Sequence, residues 1–345
     1  MKLISRCTFL AGLLLPALAI AQTALPAKKV VVTGIGRLSE NEIRELRQAA
    51  PNVNVVFASR DDAMKEIADA DALIGTPTRE QILAGKKLKW VQINSAGAEN
   101  VLTIPELKNS PIVLTNMKIV QGIEIADHAL ALLLALSRRL DITMANKATE
   151  TWPSLANYGP PLELQGKTAV VVGVGGIGTQ IAIRAKAFGM TVIGVDPKDM
   201  PYTPFLDRTV WPDRLETVLP EADVVFISAP HTGRTNKMLQ APQFAKMKKG
   251  AIFICVSRGK IYDAMALSEA LKSGHLAAAG LDVTDPEPLP KGHPLWKQDR
   301  VIITPHIAGR SDGEGPRYFE IYKDNLIRFA RGEPLRHQVD KQAGY

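Results

Sequence analysis

Thr168-Ala169-Val170-Val171-Val172-Gly173-Val174-Gly175-Gly176-Ile177-Gly178 reads as a strand running directly into a glycine-rich turn. The uncharged, β-branched run before Gly173 fits a strand buried on both faces. Beyond the turn, Ile177 to Phe188 has the pattern of a helix and Gly189 fits its C-terminal cap. A second strand, Thr191 to Val195, then ends at Asp196. Strand, turn, helix, strand and acid follow in order, which a lone Gly-x-Gly-x-x-Gly does not offer.

That order is the Rossmann context for a dinucleotide. Gly173 permits the tight turn, Gly175 lets a pyrophosphate approach the backbone, and Gly178 allows close helix–strand packing. The helix N-terminus adds free N–H groups and a positive dipole end for the phosphates. Asp196 stands 18 residues after Gly178, close to the spacing of a carboxylate that binds the adenosine ribose hydroxyls. A 2′-phosphate would be repelled there, which favours NAD over NADP, while nearby Lys198 weakens the preference. The candidate cofactor contacts are therefore Gly173, Gly175, Gly176, Ile177, Gly178 and Asp196.

Working outward, apolar β-branched runs alternate with helical patterns along most of the 345 residues, which predicts α/β architecture with parallel sheets. Strand candidates on the N-terminal side are Lys29–Thr33, Val53–Ala58, Ala72–Gly75, Leu88–Ile93 and Ile112–Leu114. Ser39 and Glu42 form a capping box that starts a helix, and Gly34-x-Gly36 before it reads as a tight turn rather than a second fingerprint. Glu124 to Arg139 is a long helix, apolar on nearly every face and therefore buried. The stretch from Trp152 to Pro161 reads as a loop.

The length corresponds to about two domains. With 46% hydrophobic and 22% charged residues, the chain is neither disordered nor a polytopic membrane protein, and two cysteines exclude a disulfide scaffold. Residues 1–21 read as a secretory signal. Lys2 and Arg6 precede the apolar run Phe9–Ala21, which is shorter than the ~20 residues of a spanning helix, and Ala19-Ile20-Ala21 offers a cleavage site before Gln22. The expectation is an exported protein, periplasmic or secreted, with an uncleaved tether or a cytoplasmic location as the alternatives. Losing Lys2 and Arg6 takes the formal net charge from +7 to +5. The remaining lysine clusters lack interleaved aromatics, so neither nucleic acid nor, after signal removal, a membrane is an expected partner.

Polar residues follow three further strand candidates: Ser257-Arg258-Gly259 after Ala251–Val256, Asp285-Pro286-Glu287-Pro288 after Ala277–Val283, and Pro305-His306-Ile307 after Val301–Thr304. Residues beyond the carboxyl ends of parallel strands gather at the ligand crevice, which would bring Arg258, Glu287 and His306 together.

With these motifs the sequence resembles the D-isomer-specific 2-hydroxyacid dehydrogenase family. The likeness is strongest in Leu164–Pro197, Ser257–Gly259, Asp285–Pro290 and Thr304–Gly309. It implies a Rossmann coenzyme domain, 121–309, inserted into a flavodoxin-like substrate-binding domain made of 28–120 and 310–345. It implies that Arg258 holds the substrate carboxylate and polarises the keto oxygen, a task suited to a planar guanidinium fork. His306 would exchange a proton with that oxygen, and Glu287 would orient the imidazole and favour its charged form. Val256 and Asp282 would contact the coenzyme, Asp282 at the nicotinamide carboxamide. The loop Ser95-Ala96-Gly97-Ala98 would bind the substrate carboxylate, with Ala96 and Gly97 as contacts.

The implied activity is hydride transfer between NAD(H) and a small 2-keto or D-2-hydroxy acid. The alternative is a catalytically weak NAD(H)-binding sensor or partner protein of the same fold. A homodimer through the coenzyme domains, using the Glu124–Arg139 region, is also implied. Three residues depart from the family pattern: Gly176 where a basic or polar residue is frequent, Cys255 where asparagine is common, and Tyr262 where valine is usual. Glu287 in place of glutamine argues against the formate dehydrogenase branch. Among the other histidines, His128 reads as structural, His231 is as much a cleft residue as a bland one, and His275 and His293 read as ordinary loop or helix-end residues. Their spacing offers no metal site.

Overall fold

The computed structural model describes residues 27–34, 38–59, 61–152, 160–200 and 203–345. The expected signal, 1–21, lies outside them, as do Gly36 of the first turn and most of the 152–161 loop.

Two parallel sheets organise the chain. The first contains β1 (Lys28–Val32), β2 (Val53–Phe57), β3 (Ala72–Ile74), β4 (Trp90–Gln92) and β5 (Val113–Thr115), in the order β2-β1-β3-β4-β5. This is the flavodoxin-like doubly wound order. The second contains β6 (Thr168–Val172), β7 (Thr191–Val195), β8 (Arg208–Val210), β9 (Val224–Ile227), β10 (Ile252–Cys255), β11 (Ala278–Leu281) and β12 (Val301–Ile303), in the order β12-β11-β10-β9-β6-β7-β8. Its strand order reverses between β6 and β9, the switch point of a Rossmann sheet. The β9, β10 and β11 side chains are all buried, because helices cover both faces.

The helix Glu314–Arg331 returns to the first sheet, where Phe319, Tyr322, Leu326 and Phe329 share a core with Val30 and Trp90. The Trp90 and Phe329 rings lie 5.2 Å apart. The second sheet is thus inserted within the first α/β unit. At the other end of that unit, helix Glu40–Ala49 begins at the capping box read from the sequence: Glu42 accepts the Ser39 N–H at 2.7 Å, and Ser39 Oγ accepts the Glu42 N–H at 3.3 Å.

Helix Gly122–Ser137 leaves the first unit and packs on the second, where Ala129, Leu133 and Leu136 meet Ile181, Ala182 and Ala185. It stops two residues short of the expected Arg139. Arg139 is left-handed (φ +64°), and a second helix, Leu140–Ala148, starts after it. Arg300 secures the break. Its Nη2 donates to the Leu136 carbonyl at 2.6 Å and its Nε to Asp141 at 2.7 Å, so a carbonyl at the helix C-terminus gains a cation. Among the described residues no helix is long and apolar enough to cross a membrane.

Candidate active site

A cleft of about 1640 Å³ lies between the carboxyl edges of the two sheets. Its floor is the glycine turn. Gly173 has φ +88°, and a Cβ there would stand 2.5 Å from the Ala229 backbone. A Cβ on Gly178 would fall 1.9 Å from the Gly173 carbonyl oxygen, so the helix packs on the strand only without a side chain. Gly175 is different: no described atom lies within 4 Å of its missing Cβ, which leaves the backbone open to the cleft. Helix Gly176–Ala187 starts at this point with no side-chain cap, and its first N–H groups remain available. Bare backbone and an uncapped helix start fit a pyrophosphate.

The departure at Gly176 has a packing cause. A Cβ there would stand 2.7 Å from the Lys118 carbonyl oxygen, where the chain crosses between the two sheets. Ile177 lines the cleft as well. Asp196, just beyond β7, accepts the Val174 N–H at 2.8 Å and the Lys198 N–H at 2.9 Å. Its carboxylate is therefore tied to the fingerprint turn itself.

The strand-end residues reach the same cleft from β10, β11 and β12. Val256, Arg258, Asp282 and His306 line it, while Glu287 stands behind His306 rather than on the wall. Glu287 Oε2 lies 3.0 Å from His306 Nδ1. That pairing makes Nδ1 the donor to Glu287 and leaves Nε2 for another partner. His306 has φ +54°, a left-handed conformation that is costly outside glycine.

Buried Asp282 explains how the conformation at His306 is held. Its Oδ1 accepts from Thr304 Oγ1 at 2.6 Å and from the Ile307 N–H at 3.0 Å, and its Oδ2 accepts the Ala308 N–H at 3.0 Å. Its carbonyl accepts the His306 N–H at 2.9 Å. Asp282 thus shapes the loop that carries the imidazole, besides facing the cleft.

The opposite wall comes from the loop after β4. Asn116 Nδ2 donates to the Ala96 carbonyl at 2.7 Å and Ser95 Oγ to the Gly97 carbonyl at 2.6 Å, which fixes the loop. Gly97 packs directly on the guanidinium: a Cβ there would lie 2.2 Å from Arg258 Nη2. Glu99, one residue past the loop singled out in the sequence, accepts from Arg258 Nε at 2.5 Å. Arg258 Nη1 donates to the Ser257 carbonyl at 2.7 Å, which leaves Nη2 as the free end.

Sequence reading missed Glu99, since one acid after a loop carries no periodic signal. It also missed Tyr318 and Tyr322 on the returning helix, which line the same cleft. Tyr322 donates to Asn94 Oδ1 at 2.9 Å. Burial pushes the Tyr318 phenol up to about 12, with Glu314 and Glu124 adding to the shift. His128 lies 2.9 Å from Thr304 Oγ1 and so buttresses the Asp282 network from the interdomain helix. His231 lines the cleft, while His275 Nε2 lies 2.9 Å from the Met247 carbonyl and His293 Nδ1 accepts the nearby Leu295 N–H.

A Rossmann cradle beside an Arg–His–Glu constellation on one sheet, with a loop of the other sheet closing the cleft, defines a dinucleotide-dependent oxidoreductase. The model of the D-isomer specific 2-hydroxyacid dehydrogenase NAD binding domain matches residues 130–308. The chain is 33% identical to a glyoxylate reductase of Korarchaeum cryptofilum, covering 91% of this chain and 95% of that one. It is 32% identical to a D-3-phosphoglycerate dehydrogenase of Archaeoglobus fulgidus over 88% of its length, but spans 58% of that longer protein. The crystal structure of a D-isomer specific 2-hydroxyacid dehydrogenase from Xanthobacter autotrophicus, in complex with NADPH and MES, is similar with a TM-score of 0.79 and 25% identity, covering 92% of this chain and all of that one. The chain belongs to the D-isomer-specific 2-hydroxyacid dehydrogenase family.

Proposed function

We propose that this protein is an NAD(H)-dependent reductase of small 2-keto acids of the size of glyoxylate. The observation that carries the reading is the meeting of Arg258 with the His306–Glu287 pair beside the glycine cradle. The similarity to a glyoxylate reductase over nearly its whole length supports a small acid.

Arg258 Nη2 holds the substrate carboxylate and polarises the keto oxygen, while Glu99 and the Ser257 carbonyl keep the fork in place. The backbone of Ala96 and Gly97 closes the other side of that carboxylate. A nicotinamide held by the glycine cradle would supply the hydride for the keto carbon. His306 gives its Nε2 proton to the oxygen, and Glu287 stabilises the imidazolium that donates it. Run in reverse, the same nitrogen takes the proton of the D-2-hydroxy acid.

Asp196 supports NAD as coenzyme, because a 2′-phosphate would meet a carboxylate already held in place by two backbone N–H groups. A homodimer is part of the proposal. Helix Gly122–Ser137 is largely buried inside its own coenzyme domain, so the surface offered is the one just beyond it, where Leu140, Met144 and Trp152 are exposed, Trp152 to 98%. Sedimentation would show a dimer that Met144→Glu converts to monomer. Export remains part of the reading on the strength of the 1–21 signal, and mass spectrometry of the mature N-terminus would find Gln22 first.

The deciding experiment is NADH consumption by residues 22–345 with a panel of 2-keto acids, Arg258→Ala serving as control. Turnover on a small acid that Arg258→Ala abolishes, with NADH still bound, supports the reading. NADH binding with no turnover on any acid would replace it with the sensor.

A further inference from the structure

Residues 333–345 follow the last helix, which is closed by left-handed Gly332 (φ +73°). They are pinned to the substrate-binding domain. Gln338 bridges to Thr115, and the Val339 N–H donates to the Leu114 carbonyl at 2.8 Å, with Val339 only 7% exposed. The Lys341 ammonium donates to three carbonyls, of Leu107, Ser110 and Ile112, at 3.1, 2.6 and 2.9 Å. Asp340 then closes a turn by accepting the N–H groups of Gln342 and Ala343, each at 2.9 Å.

So anchored, the segment reaches into the cleft at its adenosine end, where Gln342, Ala343 and Tyr345 form part of the wall. Lys198 Nζ lies 4.9 Å from the centre of the Tyr345 ring, and the Lys198 N–H is the one that donates to Asp196. A Cβ on Gly344 would stand 3.7 Å from Thr232 Cγ2, in the loop after β9. The end of this segment therefore packs on the loop that carries Asp196 and Lys198 and runs close by the loop after β9.

We propose that Tyr345 is a coenzyme-binding residue, which walls the adenosine half of the cleft and holds the Lys198 ammonium on its ring. The inference rests on the dehydrogenase reading for its ligand. An aromatic face beside the ribose site offers the adenine a stacking surface. The same ring occupies the cation nearest Asp196 in sequence, a cation that would otherwise be free to neutralise a 2′-phosphate. Tyr345 thus strengthens either coenzyme by contact and favours NADH over NADPH by withholding Lys198.

Calorimetric titration of the wild type, Tyr345→Ala and Tyr345→Phe with NADH, NADPH and ADP-ribose tests this. Tyr345→Ala is expected to weaken NADH and ADP-ribose alike by about tenfold. NADPH should lose less, so that the preference for NADH narrows, and Tyr345→Phe should retain wild-type affinities. Unchanged NADH affinity in Tyr345→Ala would overturn the proposal, as would a loss that spares ADP-ribose or one that Tyr345→Phe shares. A wild type that binds NADH but reduces no acid would sink the reductase reading, while these affinities still decide the role of Tyr345. No NADH binding by the wild type would overturn both.

Discussion

Arg258 and Glu99 form an ion pair across the cleft, joining positions 159 apart in the chain. The guanidinium follows β10 of the second sheet and the carboxylate follows β4 of the first, so the pair also ties the two sheets together. In the proposed reaction Glu99 both orients the fork and would compete, as an anion, with the substrate carboxylate. Two substitutions separate these roles. Glu99→Gln keeps an acceptor for Nε and removes the charge, and should lower KM for the keto acid by about threefold with kcat little changed, the scale of a partly exposed ion pair. Glu99→Ala should lower kcat by about tenfold instead. Steady-state kinetics of both variants checks the split; equal effects would mean Glu99 acts only as packing.

The Glu287–His306 pair makes a second, graded prediction. His306→Ala removes the proton donor and should lower kcat by about 10²–10⁴-fold while NADH affinity stays at the wild-type value. Glu287→Gln keeps a hydrogen-bond partner for Nδ1 without the charge, and should fall between His306→Ala and the wild type. Stopped-flow reduction with saturating NADH measures both. A Glu287→Gln variant as slow as His306→Ala would mean orientation by the carboxylate is indispensable rather than supportive.

Gly178→Ala tests the fingerprint as packing rather than chemistry. A methyl 1.9 Å from the Gly173 carbonyl cannot be absorbed by a flexible side chain, because the neighbour is backbone. The helix must move off β6, at a cost of about 1–3 kcal/mol. Urea denaturation should show that loss, and NADH affinity should fall with it as the cradle opens. Gly166→Ala, at a glycine with no described atom near its missing Cβ but φ +72°, should lose stability through strain alone and keep NADH affinity.

Cys255 predicts a pH dependence. Burial pushes its thiol from 9.0 up to about 12. The unfolded thiol ionises above pH 9 while the folded one resists, so its contribution to stability is present below pH 9 and lost as pH rises from 9 towards 12. Cys255→Ala should therefore lose less stability than the wild type across that interval, as read by denaturant midpoints. Native residues 22–345, which lack Cys7, should leave a thiol reagent unreacted at pH 8 until urea is added.

Much of this architecture is legible along the chain. The Val170–Val172 run, the glycines after it and Asp196 belong to one continuous stretch, and the constraints on them are local. A capping box such as Ser39–Glu42 is equally local, and the structure forms it at the same two residues. The helix end at Ser137 is not legible in this way. Arg300, a partner 164 positions from Leu136, secures a break that the apolar run from Ala129 to Leu136 conceals.

The sequence by itself determined the coenzyme fold and the order in which Arg258, Glu287 and His306 follow their strands. Side-chain periodicity, glycine's tolerance of positive φ and the placement of polar residues after apolar runs act over a few residues, and such rules can be read along a chain. Only the tertiary structure decided that Glu99 meets Arg258, that Asp282 shapes the loop of His306, and that Tyr345 stands over Lys198. The second depends on β11 and β12 lying side by side in one sheet, the other two on how the two sheets face each other across a cleft. That arrangement is set by the summed packing of both cores and leaves no mark on the residues beside Glu99 or Tyr345.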